Sequence, residues 1–425
     1  MSNIAVIGKG GREHALSKFL LDSNKYTEVF CIPGNDGMRL SDIHCLDWDS
    51  QNYLELVNIL KSNSILKVII GPEDLLANGL SDYLESFKIS VIGPSKKLSL
   101  LESSKSYSKN FMFETGIPCA SSKSFSNSTK AISYLESKDV AKTGIVIKSS
   151  QLASGKGVVV THDFFEARKT ILDFLDSNDC SINTDEILIE DYLEGVESSV
   201  FVLFSGKTYK ILGAARDYKR LNDDNVGPNT GGMGALFKED LLSESQWNEV
   251  SSILDKICVK FEKENLDYYG FLFLGLMHTN DGTKVLEFNC RMGDPETQIV
   301  IPNCSFDLVE DFEKTFRKET LSNDQVRHNN SFGIHVVLSS IGYPDIYNKG
   351  MSRGERINTN VSDIDSKIYY AGVKKNEKGY YVNSSGRILG LSYLGNDVGT
   401  CIEKVYGDIN KLNTNNFHFR RDIGK

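Results

Sequence analysis

The 425-residue chain contains no CxxC pair. Its eight cysteines stand alone at positions 31, 45, 119, 180, 258, 290, 304 and 401. That scatter excludes a disulfide framework and a cysteine-rich zinc site, and reduced thiols are expected. The seven histidines fall in no HExxH or similar ligand spacing. The strongest apolar run near the middle, Gly270 to Met277, falls far short of the roughly 20 residues a membrane-spanning helix requires. The opening MSNIAVIGKGG enters a strand without a basic n-region or an apolar h-region, so a soluble, cytoplasmic protein is expected. An excess of positive charge is missing too. With 48 Lys and Arg against 57 Asp and Glu the net charge is −9, which opposes general binding to nucleic acid. A local basic pocket for a phosphorylated small molecule stays open. There is no internal repeat and no long low-complexity segment.

What is present is an ordinary globular composition, 40% apolar and 25% charged, over a length that implies two to four domains. Residues 1–102 alternate short apolar runs (4–7, 29–32, 68–70, 89–92) with helical patterns (12–21, 53–60). Short loops between them predict a parallel sheet with right-handed crossovers and ligands at the carboxyl ends of its strands. Residues 103–328 form a second α/β unit. It opens on a helix beginning at Ser104-Lys105, with a strand pattern at 144–148, a small-residue loop at 154–157, and strands at 158–161, 187–190 and 198–204. From residue 329 to 425, short strands at 332–338, 367–373, 379–382 and 387–394 and a helix at 398–412 predict a small α+β domain with no obvious chemistry of its own.

Chemistry concentrates in four stretches. The turn Gly8-Lys9-Gly10-Gly11 precedes a helix and offers backbone N–H groups to an anion. It reads G-x-G-G, with Glu13 in the third-glycine slot, so a nicotinamide-dinucleotide fingerprint is a poor match and a monophosphate suits it better. His14 reads as a structural histidine. The loop Ser154-Gly155-Lys156-Gly157 between two strands suits a flap over phosphates, although it is no Walker A motif. Gly227 to Gly234 holds four glycines in GPNTGGMG, a backbone that can approach a ligand closely. Finally, KVLEFNCRMGDPETQ (284–298) reads as a strand after the hairpin signal Asn280-Asp281-Gly282. Alternation puts Leu286 and Phe288 on a core face, and Glu287, Asn289 and Arg291 on the other. A carboxylate beside an amide oxygen suits magnesium, and an arginine there can fork onto phosphate. A solvated edge strand would carry the same pattern.

Seven motifs now stand in one chain: VIGKGGREHAL (6–16), PGN (33–35), GPE (71–73), IGPS (92–95), LASGKGV (152–158), GPNTGGMGA (227–235) and LEFNCRMGDPETQ (286–298). Together they resemble the phosphoribosylamine–glycine ligase (glycinamide ribonucleotide synthetase) family of the ATP-grasp superfamily, over nearly the whole length. The resemblance implies an N-terminal parallel-sheet domain at 1–102, an ATP-grasp domain at 103–328 with a flap subdomain at about 122–191, and a small C-terminal α+β domain at 329–425. It implies ATP-dependent ligation of glycine to 5-phosphoribosylamine through a glycyl phosphate, with ATP and Mg²⁺ or Mn²⁺, by a monomer. A ligase of the same fold joining another amino acid or amine is the alternative. Two further readings are a nicotinamide-dependent oxidoreductase resting on Gly8–Gly11 and a nucleotide-binding regulator without catalysis. By position, Glu287 and Asn289 would hold the metal, and Arg291 would steady the transferred phosphoryl group. Lys105 and Lys148 would meet the nucleotide phosphates under the flap loop with Gly155, Lys156 and Gly157. Glu190, Asp191 and Leu193 would form the adenine hinge through backbone groups, and Glu197 would hold the ribose. Gly10, Gly11, Asn35, Asp294 and Pro295 would hold the phosphoribosylamine. Asp217, Lys219, Asn229, Gly231 and Gly232 would line the meeting point of glycine and the γ-phosphate. Gln151 stands where the family carries glycine, Tyr218 where histidine is common and Met292 where phenylalanine is common.

Overall fold

The apolar runs near the N-terminus form the strands Asn3–Gly8, Val29–Pro33, Ile65–Ile70 and Ser90–Ile92 of a computed structural model. It describes residues 2–151, 157–177, 184–345, 350–358, 363–412 and 414–425. With the two-residue edge strand His44–Cys45 they make a five-stranded, wholly parallel sheet. Such runs are apolar throughout because helices cover both faces; Ile4, Ala5, Val6 and Ile7 are each 0% exposed. Asn3–Gly8 is the central strand, with Val29–Pro33 on one side and Ile65–Ile70 on the other. Chain order reverses there, so the crevice at its carboxyl end, lined by the Gly8–Gly11 turn and by Gly71-Pro72-Glu73, is where this topology receives a ligand.

Strands Ser122–Phe125, Ile187–Asp191, Ile145–Ser149 and Val158–Thr161 form a separate four-stranded antiparallel sheet. Helices Ser128–Glu136 and Phe164–Leu175 pack on it around Ala131, Leu135, Ile145, Ile147, Ile171 and Ile189. This core shares no buried residue with the others among the described residues.

The third layer is a ten-stranded sheet. Its main path runs Gly282–Asn289, Tyr268–Thr279, Val196–Gly206, Thr208–Asp217, Gly234–Lys238, Phe332–Ser340, Arg387–Gly395, Lys367–Tyr370. The C-terminal strands therefore continue this sheet: Gly234–Lys238 pairs residue by residue with Phe332–Ser340, which satisfies an edge that would otherwise be open. The Asn280-Asp281-Gly282 hairpin forms as its turn residues predict. The expected alternation beyond it needs one correction. The register shifts between Gly275 and Leu276, so Leu286 is an inserted residue and leaves the core face. Val285 and Phe288, 0% and 2% exposed, fill the core instead. Glu287 and Asn289, opposite Gly275 and Phe273, keep their shared face.

Candidate functional site

Sheet register assembles the site. Glu287 lies opposite Gly275, Gly275 opposite Ser199, and Ser199 opposite Ala215, so these four share one face across four strands. Two residues along, on the same face, come Glu197 and Asp217. Lys219 follows just past the end of Thr208–Asp217, and its Nζ meets the Glu197 carboxylate at 2.7 Å.

On one side of Glu287 lies a cluster of paired charges. Ser104 caps the helix Lys105–Thr115 by accepting from the Tyr107 N–H, which points Lys105 and, one turn on, Lys109 toward the four-stranded sheet. Lys148 Nζ contacts Glu190 Oε2 at 2.9 Å and donates to the Leu286 carbonyl, and Lys109 Nζ contacts Glu190 Oε1 at 3.3 Å. Lys109, Lys148 and Glu190 are all buried. Burial pushes the Lys105 and Lys109 ammonium groups below the ordinary lysine range, against the pull of Glu287 on the first and Glu190 on the second. Burial alone would raise the Glu287 carboxyl. Lys219, Lys148 and Lys105 outweigh it and hold Glu287 low, as an anion. The expectation that Glu190 acts through its backbone is corrected. Its main chain lies inside the sheet, paired with Ser122 and Val146, and its side chain is the counter-ion of two lysines. Asp191 gives its N–H to Ser121 and its carboxylate to Lys138. The chain leaves the sheet only at Tyr192-Leu193.

Arg291 sits at the centre, where it bridges Glu73 (Nε–Oε2 3.3 Å) and Glu102 (Nη2–Oε1 3.1 Å) and donates to Asn289 Oδ1. Glu102 also accepts the Cys290 N–H at 2.7 Å; burial raises its pKa to about 7 despite the arginine.

The other side is built mostly from backbone. Asp294 Oδ1 accepts from Gln298 and Oδ2 meets Arg387 Nη2 at 3.3 Å. Arg387 Nη1 also donates to the carbonyls of Gly231 (2.6 Å) and Asp294 (2.7 Å), and at 3.5 Å to that of Gly232. Gly232 has φ +106°, and a Cβ there would lie 2.3 Å from Pro295 Cδ and 2.7 Å from Asp217 Oδ1, so only glycine fits between them. Asp217 Oδ1 is buried without a hydrogen-bond partner, and burial with the neighbouring Glu296 drives its pKa well above the carboxylate range. Burial works against the Lys219 ammonium, yet Glu197, Glu287 and Asp217 hold it charged. Asn229 ends a short exposed hairpin strand paired with Arg220.

At the N-terminal sheet the reading changes in two places. The Gly10 N–H is not free: Glu13 Oε2, from the first turn of the helix, accepts it at 2.7 Å. Glu13 also fills the space over Gly71, where a Cβ would come within 2.0 Å of its Oε1, and pairs with Arg12. Gly11, next along the turn, lies beside Asp294 and Gln298. Asn35 is also fully engaged. Its Oδ1 accepts from Gly37 and Met38, and its Nδ2 donates to the carbonyls of Lys9 and Tyr370, so its side chain shapes the loop. His14 is structural as expected: 0% exposed, accepting the Tyr370 N–H, with burial lowering its pKa to about 3. The seven described cysteines are free thiols. Gly155 and Lys156 lie outside the described residues; the Gly157 carbonyl accepts from the Ser149 N–H. The Gln151 carbonyl accepts from Lys105 Nζ, and the Tyr218 hydroxyl from the Gly424 N–H.

Sequence reasoning missed Lys109, Glu102, Glu296 and Arg387. Lys109 stands one helical turn from Lys105 and could have been found by spacing; Glu102 lies on the separate short helix Leu100–Ser103, and Arg387, in a stretch read as carrying no chemistry, had no local signal.

A divalent ion fits at Glu287 and Asn289. Their oxygens share a face, and among the described residues no group of three or more His, Cys, Asp or Glu could cage a metal alone. Magnesium, which keeps water and phosphate in its shell, needs no such cage.

Family models for phosphoribosylglycinamide synthetase match most of the chain: the N domain at residues 2–102, the ATP-grasp (A) domain at 103–297 and the C domain at 333–425. A curated phosphoribosylamine–glycine ligase from Listeria innocua is 38% identical, with 99% of each chain covered. A trifunctional purine biosynthetic protein adenosine-3 from Gallus gallus is 34% identical over 99% of this chain and 42% of its own. The crystal structure of the Thermotoga maritima phosphoribosylamine–glycine ligase superposes with a TM-score of 0.85 at 28% identity, covering 99% of both chains. A biotin carboxylase from Campylobacter jejuni shares the fold at 13% identity and a TM-score of 0.74. Matched over 99% of its length by relatives of this kind, the chain belongs to the phosphoribosylamine–glycine ligase family and has the ATP-grasp fold.

Proposed function

We propose a division of labour for the family's reaction, the ATP-dependent ligation of glycine to 5-phosphoribosylamine in purine biosynthesis. A carboxylate is a poor electrophile, so the glycine carboxylate oxygen first attacks the γ-phosphorus of ATP and ADP leaves. The amine of phosphoribosylamine then attacks the glycyl carbonyl carbon. Phosphate departs with one former carboxylate oxygen, leaving glycinamide ribonucleotide. Both steps depend on positioning and charge neutralisation.

Glu287 and Asn289 hold Mg²⁺ or Mn²⁺, which when bound neutralises charge on the nucleotide phosphates. Lys105 and Lys148 meet those phosphates, under the segment that carries Gly155, Lys156 and Gly157. Tyr192 and Leu193 offer main-chain groups to adenine, next to Asp191, and Glu197 holds the ribose hydroxyls. Arg291 steadies the transferred phosphoryl group. Lys219 and the loop with Asn229, Gly231 and Gly232 surround the glycine. Asp217, whose Oδ1 stands against the Gly232 backbone, lines the meeting point of glycine and the γ-phosphate. Gly11, with Gly10, Asn35 and the Asp294-Pro295 turn shaping the crevice, receives the phosphoribosylamine at a helix N-terminus. We further propose a cytoplasmic monomer; no helix among the described residues is long and apolar enough to cross a membrane.

The observation that carries this reading is the half-buried Glu287 carboxylate, held anionic by Lys219, Lys148 and Lys105 on the face that leads to Asp217. The test is ADP release with phosphoribosylamine generated in situ, comparing glycine with alanine, serine and no amino acid. Glycine alone should exceed the blank. ADP release that is equal for all four conditions, or greatest with another amino acid, contradicts the reading.

A further inference from the structure

We propose that Arg387 is a positioning residue for the acceptor half of the reaction: one guanidinium fastens the glycine loop to the Asp294-Pro295 turn, so the C-terminal sheet sets how phosphoribosylamine is seated. The inference rests on the functional reading above and goes beyond it.

Gly231 and Gly232 have no side chains to fix their loop, and Thr230 only closes it locally, donating to the Lys219 carbonyl and accepting from the Gly232 N–H. Across from it, Asp294 turns the chain away from the strand that carries Glu287. Carbonyl oxygens of Gly231, Gly232 and Asp294 converge on Arg387 Nη1, while Nη2 faces the Asp294 carboxylate. Three carbonyls and a carboxylate in one place repel one another without a cation. A forked, planar guanidinium meets them from two nitrogens at once, which a single ammonium does not. Asp294 reaches further: its Oδ2 lies 3.2 Å from where a Gly10 Cβ would stand, and its Oδ1 is 3.9 Å from the corresponding point at Gly11. Arg387 thereby joins the glycine loop, the turn and the anion-facing helix start. A second contact comes from the same part of the chain, the Tyr343 hydroxyl accepting the Gly231 N–H at 2.9 Å. Burial would raise the Asp294 carboxyl, but Arg387 and then Arg12 hold it low. None of the residues that Arg387 bonds belongs to the cluster of Lys105, Lys148, Glu190 and Glu287.

The test is steady-state kinetics on the full chain with Arg387→Ala and Arg387→Lys, together with calorimetric Mg–ADP binding. A displaced acceptor loop costs about a hundredfold in kcat/KM for phosphoribosylamine in Arg387→Ala. Arg387→Lys should fall between Ala and wild type, and the Kd for Mg–ADP should stay within about twofold of wild type in both. Kinetics equal to wild type in Arg387→Ala, or Mg–ADP affinity that weakens in parallel, overturns the proposal. If the alanine variant does not fold, Arg387→Lys and Tyr343→Phe decide. A raised KM for phosphoribosylamine with unchanged Mg–ADP affinity in Arg387→Lys supports the role, and wild-type kinetics in both variants refutes it. Failure of the functional reading looks different, since wild-type protein itself would then give no glycine-dependent ADP.

Discussion

The two halves of the site are held together by different means. The half proposed to hold the nucleotide is made of charged side chains: Lys109, Lys148 and Glu190 interlocked, Glu287 in the field of Lys219, Lys148 and Lys105, and Arg291 between Glu73 and Glu102. The half proposed to seat the acceptor is made of main chain: a glycine loop, a proline turn and a helix start, pinned by Arg387 and Asp294. The first half should be most sensitive to the removal of a charge. The second has little room at Gly232 and should be most sensitive to an added methyl group. Substitutions can therefore be sorted by which half they disturb.

Removing charge at the metal should have the largest effect. Glu287→Ala is expected to lower kcat by about a thousandfold while circular dichroism and Tm remain near wild type; turnover within tenfold of wild type would break the metal assignment. Gly232→Ala tests the opposite half. A methyl group at φ +106° and 2.3 Å from Pro295 Cδ forces the loop to move, at about 1–3 kcal/mol. Turnover with glycine should fall about tenfold or more, and Mg–ADP affinity should not change. A loss confined to nucleotide binding would reverse the comparison. Glu190→Gln leaves two buried ammonium groups without a counter-charge. It should weaken Mg–ADP binding about tenfold and lower Tm, with the KM for phosphoribosylamine unmoved; intact nucleotide binding would show that Glu190 is dispensable there.

The smallest effect is in pH dependence. The folded-state pKa of Glu102, about 7, lies above its unfolded value of 4.5. Between these values the native state binds the extra proton, so this group's contribution makes stability fall as pH rises from 4.5 to 7. His14 works the other way. Its folded pKa of about 3 lies below 6.5, so its contribution is full above pH 6.5 and is lost as pH falls toward 3. Denaturant titrations of wild type and Glu102→Gln from pH 5 to 8 should show the variant gaining relative stability as pH rises. A constant difference would remove Glu102 from the account.

The same contrast explains what the sequence made readable. Glu287 and Asn289 are two apart on a strand, and alternation put them on one face even though a bulge at Leu286 shifted the core residues beside them. The parallel N-terminal sheet was equally readable, because its strands are continuous apolar runs between glycine turns. Side-chain capacity was not. That Asn35 spends all four hydrogen-bonding positions on its own loop, or that the Gly10 N–H is taken by Glu13, depends on neighbours brought in by folding. Arg387 was least readable of all. It is 156 residues from Gly231 and 93 from Asp294, and sequential spacing carries no trace of three carbonyls meeting at one guanidinium.

Both halves must act on one acyl phosphate, and the fate of an oxygen atom reports it. With glycine labelled with heavy oxygen in its carboxylate, each phosphate released alongside glycinamide ribonucleotide should carry one labelled oxygen. Unlabelled phosphate released in step with product would mean that the carboxylate is never phosphorylated, and would contradict the account.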